Sequence, residues 1–205
     1  HPEDARLQLE RAIALHQRLC GRTPQGVWPS EGSVSEEVLR LCASAGFRWI
    51  ATDQRILTNS TGVPFYRDGS GSMVNGDRLF APYRFDTPSG PIDILFRDQE
   101  LSDLIGFVYS RMDPEAAAAD LVRRVFQSAQ AVLAQGRDVL YPIILDGENA
   151  WEYFPRNGRP FLRALYRRLS EEPRIECVTI SEGIARHGEA RPLTRLVPGS
   201  WINAN

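Results

Sequence analysis

Three acidic residues stand directly after short apolar stretches of the chain. Glu31 follows Gly26-Val27-Trp28 and a Pro29-Ser30 turn, Asp53 closes Phe47-Arg48-Trp49-Ile50-Ala51-Thr52, and Asp146 ends the run Val139 to Leu145 (VLYPIIL). Aromatic side chains crowd the same regions: Trp28, Trp49, Trp151 and Tyr153. Paired carboxylates flanked by aromatics suit sugar chemistry. One carboxylate attacks the anomeric carbon; the other protonates the leaving oxygen and then activates water. The simpler alternative is structural: a strand-end acid caps the helix that follows, and Trp49 belongs to the core.

The elements that would position these acids alternate between β and α. An amphipathic helix is expected over about Pro2 to Cys20, with Leu7, Leu9, Ala12, Ile13, His16 and Leu19 near a helical period. Gly21 and Pro24 stop it. A short strand near residues 26–28 leads to Glu31. A helix over about Ser35 to Ala45 follows, with Ser33 and Glu36 fitting a capping box and Gly46 placed as a C′ glycine. Phe47 to Thr52 then reads as a buried strand. This β-α-β unit implies parallel strands.

Residues 58–82 are rich in Gly, Ser, Asn and Pro and are expected to form a long excursion with little regular structure. Tyr83 to Phe85 and Ile92 to Phe96 read as a hairpin around Thr87-Pro88-Ser89-Gly90. Asp113-Pro114-Glu115 opens a helix that runs to Gly136. Val139 to Leu145 is continuously apolar, as a strand buried on both faces would be. A helix over about Pro160 to Ser170 and a last strand over Ile175 to Ile180 complete the pattern. The fold class expected is α/β with mostly parallel strands. Such sheets build their active sites at the strand C-terminal edge, where Glu31, Asp53 and Asp146 fall.

Composition removes several other functions. The 205-residue chain is 42% hydrophobic and 24% charged with a net charge of −2, and no Lys/Arg block forms a phosphate-binding stripe, so nucleic acid is not an expected partner. All 24 basic residues are Arg, which excludes a Schiff-base or P-loop lysine within the chain. Cys20, Cys42 and Cys177 form no C-x-x-C pair, and reduced, mostly buried thiols are expected. No apolar run approaches the roughly 20 residues that span a bilayer, and no signal peptide opens the chain. The expectation is no membrane partner and a cytoplasmic location.

Four blocks resemble glycoside hydrolase family 57, with the nearest likeness to its amylopullulanase-like and α-amylase-like members. Gly26-Val27-Trp28-Pro29-Ser30-Glu31-Gly32-Ser33-Val34-Ser35 is similar to the family's nucleophile region, and Ala45 to Asp53 continues it in register. Phe96 to Tyr109 is a third block. Ile144-Leu145-Asp146-Gly147-Glu148-Asn149-Ala150-Trp151-Glu152 is similar to the segment that holds the acid/base aspartate. The blocks lie in the family's order over residues 24–203.

The resemblance implies an incomplete (β/α)7 barrel, no metal and no cofactor. It implies retaining hydrolysis or transglycosylation of α-glucan oligo- or polysaccharides, with Glu31 as nucleophile and Asp146 as acid/base. Trp28, Asp53, Glu148 and Trp151 become the expected substrate-binding residues. The family's His-Gln-Pro segment is missing, since His16-Gln17 precedes Arg18, and Gln54 stands where similar sequences often carry an acid. Residues 1–205 are therefore expected to be a fragment of one catalytic domain, without its first strand region and its C-terminal helices, and its own activity and oligomeric state are left open.

Two competing readings follow from the same residues. A metal-dependent relative on a similar barrel would need clustered histidines, and only His1, His16 and His187 are present, without His-x-x-x-His spacing. A non-catalytic carbohydrate-binding relative would keep the groove and lose an acid, whereas both acids are here.

Overall fold

The computed structural model describes residues 1–147 and 151–202. The chain forms two compact units. The first comprises His1–Val63, Ala81–Phe96 and Ser181–Asn205; the second comprises Pro64–Phe80 and Arg97–Ile180.

The first unit opens with α1 (Pro2–Cys20), which ends where Gly21 takes up a left-handed conformation and donates its N–H to Gln17. No residue of α1 is fully buried. β1 (Gly26–Val27) leads into a tight turn at Ser30–Gly32 and then α2 (Glu36–Ser44). The cap of α2 is Ser35, which accepts from Val38 N at 3.2 Å, rather than Ser33. Ser33 is displaced from that role because its neighbour Val34 is engaged in a two-way backbone pair with Gly199. Gly46 follows the helix with φ 96, as expected of a C′ glycine.

β2 (Trp49–Asp53) runs parallel to β1 and passes directly into α3 (Gln54–Thr61), capped by Asp53. The hairpin expected around Pro88 is present as β3 (Tyr83–Thr87) and β4 (Gly90–Arg97), paired antiparallel. β5 (Arg191–Pro192) adds to β3 in parallel, and the five strands lie in the order β1-β2-β4-β3-β5 without closing. The sheet is thus open and mostly parallel. Gly26 sits under the Trp49 indole so closely that an added Cβ would lie 2.0 Å from ring atoms. That close approach explains both the glycine and the half-burial of Trp49 against β1.

The second unit is built on α6 (Pro114–Leu133) packed against α7 (Arg159–Glu171). Asp113 caps α6 by accepting from Glu115 N and Ala116 N at 3.0 Å each, as the Asp-Pro-Glu signature predicts. Leu101, Ile105, Tyr109, Leu121, Phe154 and Phe161 fill the core between them. Asp98 caps α5 (Gln99–Asp103), and a wider turn over Leu104–Val108 follows.

Four further expectations are corrected. Val139 to Leu145 is extended but is not a strand. Leu140 N donates to Phe80 O, Asp98 N donates to Pro142 O, and Ile144 N donates to Ser102 Oγ, so alternate residues are tied along one edge. Those partners belong to a helix end, a loop and a side chain, which cannot continue a ladder, and Pro142 has no N–H to offer. Ile175 to Ile180 is likewise irregular, and Ile180 instead begins α8 (Ile180–His187). Residues 58–82 are more ordered than their composition suggests. They hold the end of α3, a bridge between Arg67 and Met73, and α4 (Gly76–Leu79). Phe65, Met73, Leu79 and Phe80 are buried there, and apolar burial worth roughly 1.5–3 kcal/mol per large side chain outweighs the turn-rich sequence. The thiols are free, but only Cys42 is buried; Cys20 and Cys177 are exposed.

Candidate active site

Glu31 occupies a left-handed backbone conformation, φ 58 and ψ 18, inside the Ser30–Gly32 turn. An L-residue with a side chain pays roughly 1 kcal/mol for this, and such strain collects at functional sites. Gly32 follows at φ 60, and a Cβ there would meet the Trp28 ring at 2.6 Å. Two consecutive positive-φ residues reverse the chain and leave the Glu31 side chain exposed.

The turn is held from three sides within the first unit. Thr52 Oγ1 donates to the Gly32 carbonyl at 2.6 Å. Trp201 N donates to the Glu31 carbonyl at 3.1 Å, and the Trp201 indole Nε1 donates to Glu31 Oε2. Trp28 packs edge-on against Trp201, with centroids 5.3 Å apart. The Trp28 Nε1 is buried and has no hydrogen-bond partner among the described residues. Arg55 completes the frame: it donates to the Trp201 carbonyl through Nη2 and lies 3.2 Å from Asp53 through Nε.

Asp53, expected at the substrate, is 0% exposed and accepts from both the Arg55 N–H and the Arg55 guanidinium. Its visible work is to cap α3 and anchor Arg55. Trp28 is half-buried under the Glu31 turn.

Asp146 is half-buried at the end of the extended 139–145 segment in the second unit. Ile143 and Leu145, just before it, pack on that unit's core. Trp151 packs against Phe154 at 5.4 Å and Phe161 at 6.3 Å, and a Cβ on Gly158 would meet its ring at 2.9 Å. Glu148 lies outside the described residues. The segment before Asp146 is supported by a buried polar knot. Asp98 is 0% exposed, accepts from Leu101 N at 2.9 Å and from Arg67 Nη2 at 2.6 Å, and also accepts from the Tyr141 hydroxyl. Burial, with Asp98 adding to it, raises the Tyr141 phenol far above its ordinary value, so it stays a neutral donor. Arg97, 3% exposed, lies 3.0 Å from Asp103.

Spacing pointed to Glu31, Asp53 and Asp146. It missed Thr52, Arg55 and Trp201. Trp201 lies 170 residues from Glu31, and no local pattern links them. Among the described residues no group of three or more His, Cys, Asp or Glu could hold a metal ion. No helix among them is long and apolar enough to cross a membrane. A groove of about 570 Å³ between α6 and α7 is lined by Phe126, Gln130, Leu133, Arg168 and Arg174, and includes neither Glu31 nor Asp146.

Comparison with solved structures defines the fold first. The chain is similar to the 4-α-glucanotransferase from Thermococcus litoralis, with a TM-score of 0.68 and 19% identity over 98% of this chain and 28% of that one. It is similar to the α-amylase AmyC from Thermotoga maritima, with a TM-score of 0.74 and 15% identity over 98% of this chain and 48% of that one. The architecture is that of a partial β/α barrel, and the chain spans under half the length of either structure. Residues 1–194 match glycosyl hydrolase family 57, and the chain belongs to that family. No curated protein matches it.

Proposed function

We propose that this chain carries catalytic residues of a retaining glycoside hydrolase or transglycosylase acting on α-glucans. Family membership and the likeness to two solved structures, a 4-α-glucanotransferase and an α-amylase, support the substrate class. The observation that carries the reading is Glu31: an exposed carboxylate on a strained turn, with one oxygen held by an indole N–H. Strain of this kind is retained where a side chain must be presented in one direction.

Glu31 attacks the anomeric carbon while the Asp146 carboxyl gives its proton to the leaving glycosidic oxygen. The resulting glycosyl ester is opened by water, or by a sugar hydroxyl in transfer, as the Asp146 carboxylate takes the incoming proton and Glu31 leaves. Trp28, Trp151 and Glu148 belong to the sugar-binding side of this reading. Asp53 serves it through Arg55.

The test is made in the complete protein on maltoheptaose. Glu31→Gln and Asp146→Asn each abolish nearly all turnover while oligosaccharide binding persists. Azide restores turnover to Glu31→Ala and yields a glycosyl azide. Binding without turnover in the unsubstituted protein defeats this reading in favour of a non-catalytic relative.

A further inference from the structure

We infer that Trp201 is the positioning residue of the Glu31 carboxylate, acting through its indole N–H. The inference rests on the reading of Glu31 as nucleophile.

Trp201 holds Glu31 at two points. Its backbone N–H fixes the Glu31 carbonyl at 3.1 Å, and its Nε1 donates to Oε2. Trp201 is itself fixed. Gly199, two residues earlier, pairs both ways with Val34 at 2.8 and 3.0 Å, so the segment runs beside the turn in register. Arg55 donates to the Trp201 carbonyl and is anchored by the buried Asp53. Trp28 packs edge-on against the indole and fills the space over Gly32. A chain of contacts therefore runs from the buried Asp53 through Arg55 and Trp201 to the exposed Glu31.

The hydrogen bond has two opposing effects on a nucleophile. It draws charge from the carboxylate, which weakens attack. It also fixes which oxygen is held and where the other points. Orientation outweighs the first effect, because a displacement of about 1 Å in a reacting group costs on the order of a hundredfold in rate. An exposed glutamate with three side-chain torsions, on a turn that already deviates from ordinary backbone, would otherwise sample several directions. A donor without a proton to lose suits this task, since indole N–H is donor only and stays so at every working pH.

The test replaces Trp201 with 3-benzothienylalanine, which puts sulfur in place of the N–H and keeps the bicyclic ring against Trp28. In the complete protein kcat falls by about tenfold to a hundredfold, the range of one hydrogen bond to a charged group, while KM and Tm stay close to their starting values. An unchanged kcat overturns the inference. So does a matched loss of kcat and Tm, which marks a purely structural role.

A second measurement needs no variant at position 201. The chain has four tryptophans, and in ¹⁵N-labelled protein the Glu31→Gln exchange moves one indole N–H resonance upfield as its acceptor loses charge. If no indole resonance responds, the contact does not exist in solution and the inference falls. Azide rescue of Glu31→Ala separates the two claims. Failure to form a glycosyl azide removes the nucleophile reading, and the inference with it, whereas rescue with an unresponsive indole removes the inference alone.

Discussion

The hydroxyl of Thr52 donates to the carbonyl of Gly32 at 2.6 Å, joining the last interior residue of β2 to the turn that presents Glu31. Thr52 is 0% exposed, so this bond is shielded from water. Thr52→Val keeps the shape and removes the donor. Stability falls by about 1–3 kcal/mol, the cost of stripping a partner from a buried carbonyl, and urea denaturation measures it. Turnover falls further than stability accounts for, because the turn carrying Glu31 loosens.

The left-handed backbone at Glu31 inverts the usual ranking of small residues. Both Glu31→Ala and Glu31→Gly lose the indole contact, but only alanine retains the Cβ that this conformation disfavours. Glu31→Gly is expected to be more stable than Glu31→Ala by about 1 kcal/mol in thermal or urea unfolding. At an ordinary helical position the order is the reverse.

Asp98 is central to the second unit. It caps α5 and accepts from Arg67 and Tyr141, and Arg67 is only 12% exposed along its side chain. Asp98→Ala leaves the guanidinium without this partner and α5 without its cap. A loss of about 3–5 kcal/mol is expected, read as a lowered urea midpoint. Asp103→Ala, which removes one ion-pair partner of Arg97, is expected to lose stability before any binding step.

Asp120 sets part of the acid response of the same unit. Burial works against its charge, yet hydrogen bonds from Arg124 at 2.7 Å, Tyr109 at 2.8 Å and Arg123 together hold it below the ordinary carboxylate value. A depressed folded-state value stabilises the protein fully above the unfolded value of about 3.9 and is lost as pH falls through the folded value. Asp120→Asn is expected to flatten the fall in urea midpoint below about pH 4 and to leave its shape near neutrality unchanged.

The thiols separate by exposure. Burial pushes the Cys42 thiol up to about 11, while Cys20 and Cys177 are exposed. Native protein at pH 8 is expected to titrate two thiols rapidly with Ellman's reagent, and the third only after denaturation. Three rapid thiols would mean that α2 opens readily.

Local signals in the sequence located the four longest helices, α1, α2, α6 and α7, and missed the four shorter ones. Asp113-Pro114 and Gly46 act where caps are needed because a cap depends on neighbours within a turn. Ser33 failed as a cap although it fits the pattern, because Val34 is claimed by Gly199 from the far end of the chain. Glu31 and Asp146 stand out through their place after apolar stretches, and the roles proposed for them are what the block resemblance implies. The residues that support the Glu31 turn, Thr52, Arg55 and Trp201, carry no such mark.

By itself the sequence determined the β/α character and the family, and it singled out Glu31 and Asp146 as the acids to test, since these depend on periodicity and short motifs that act through adjacent residues. Tertiary structure alone decided that Val139 to Leu145 is extended without becoming a strand. A strand is defined by its neighbour, and here the neighbours are a helix end, a loop and a serine hydroxyl. It alone decided that Trp201 meets Glu31 across 170 positions. A hydrogen bond forms wherever folding brings donor and acceptor together, and that meeting is set by the packing of every element between them.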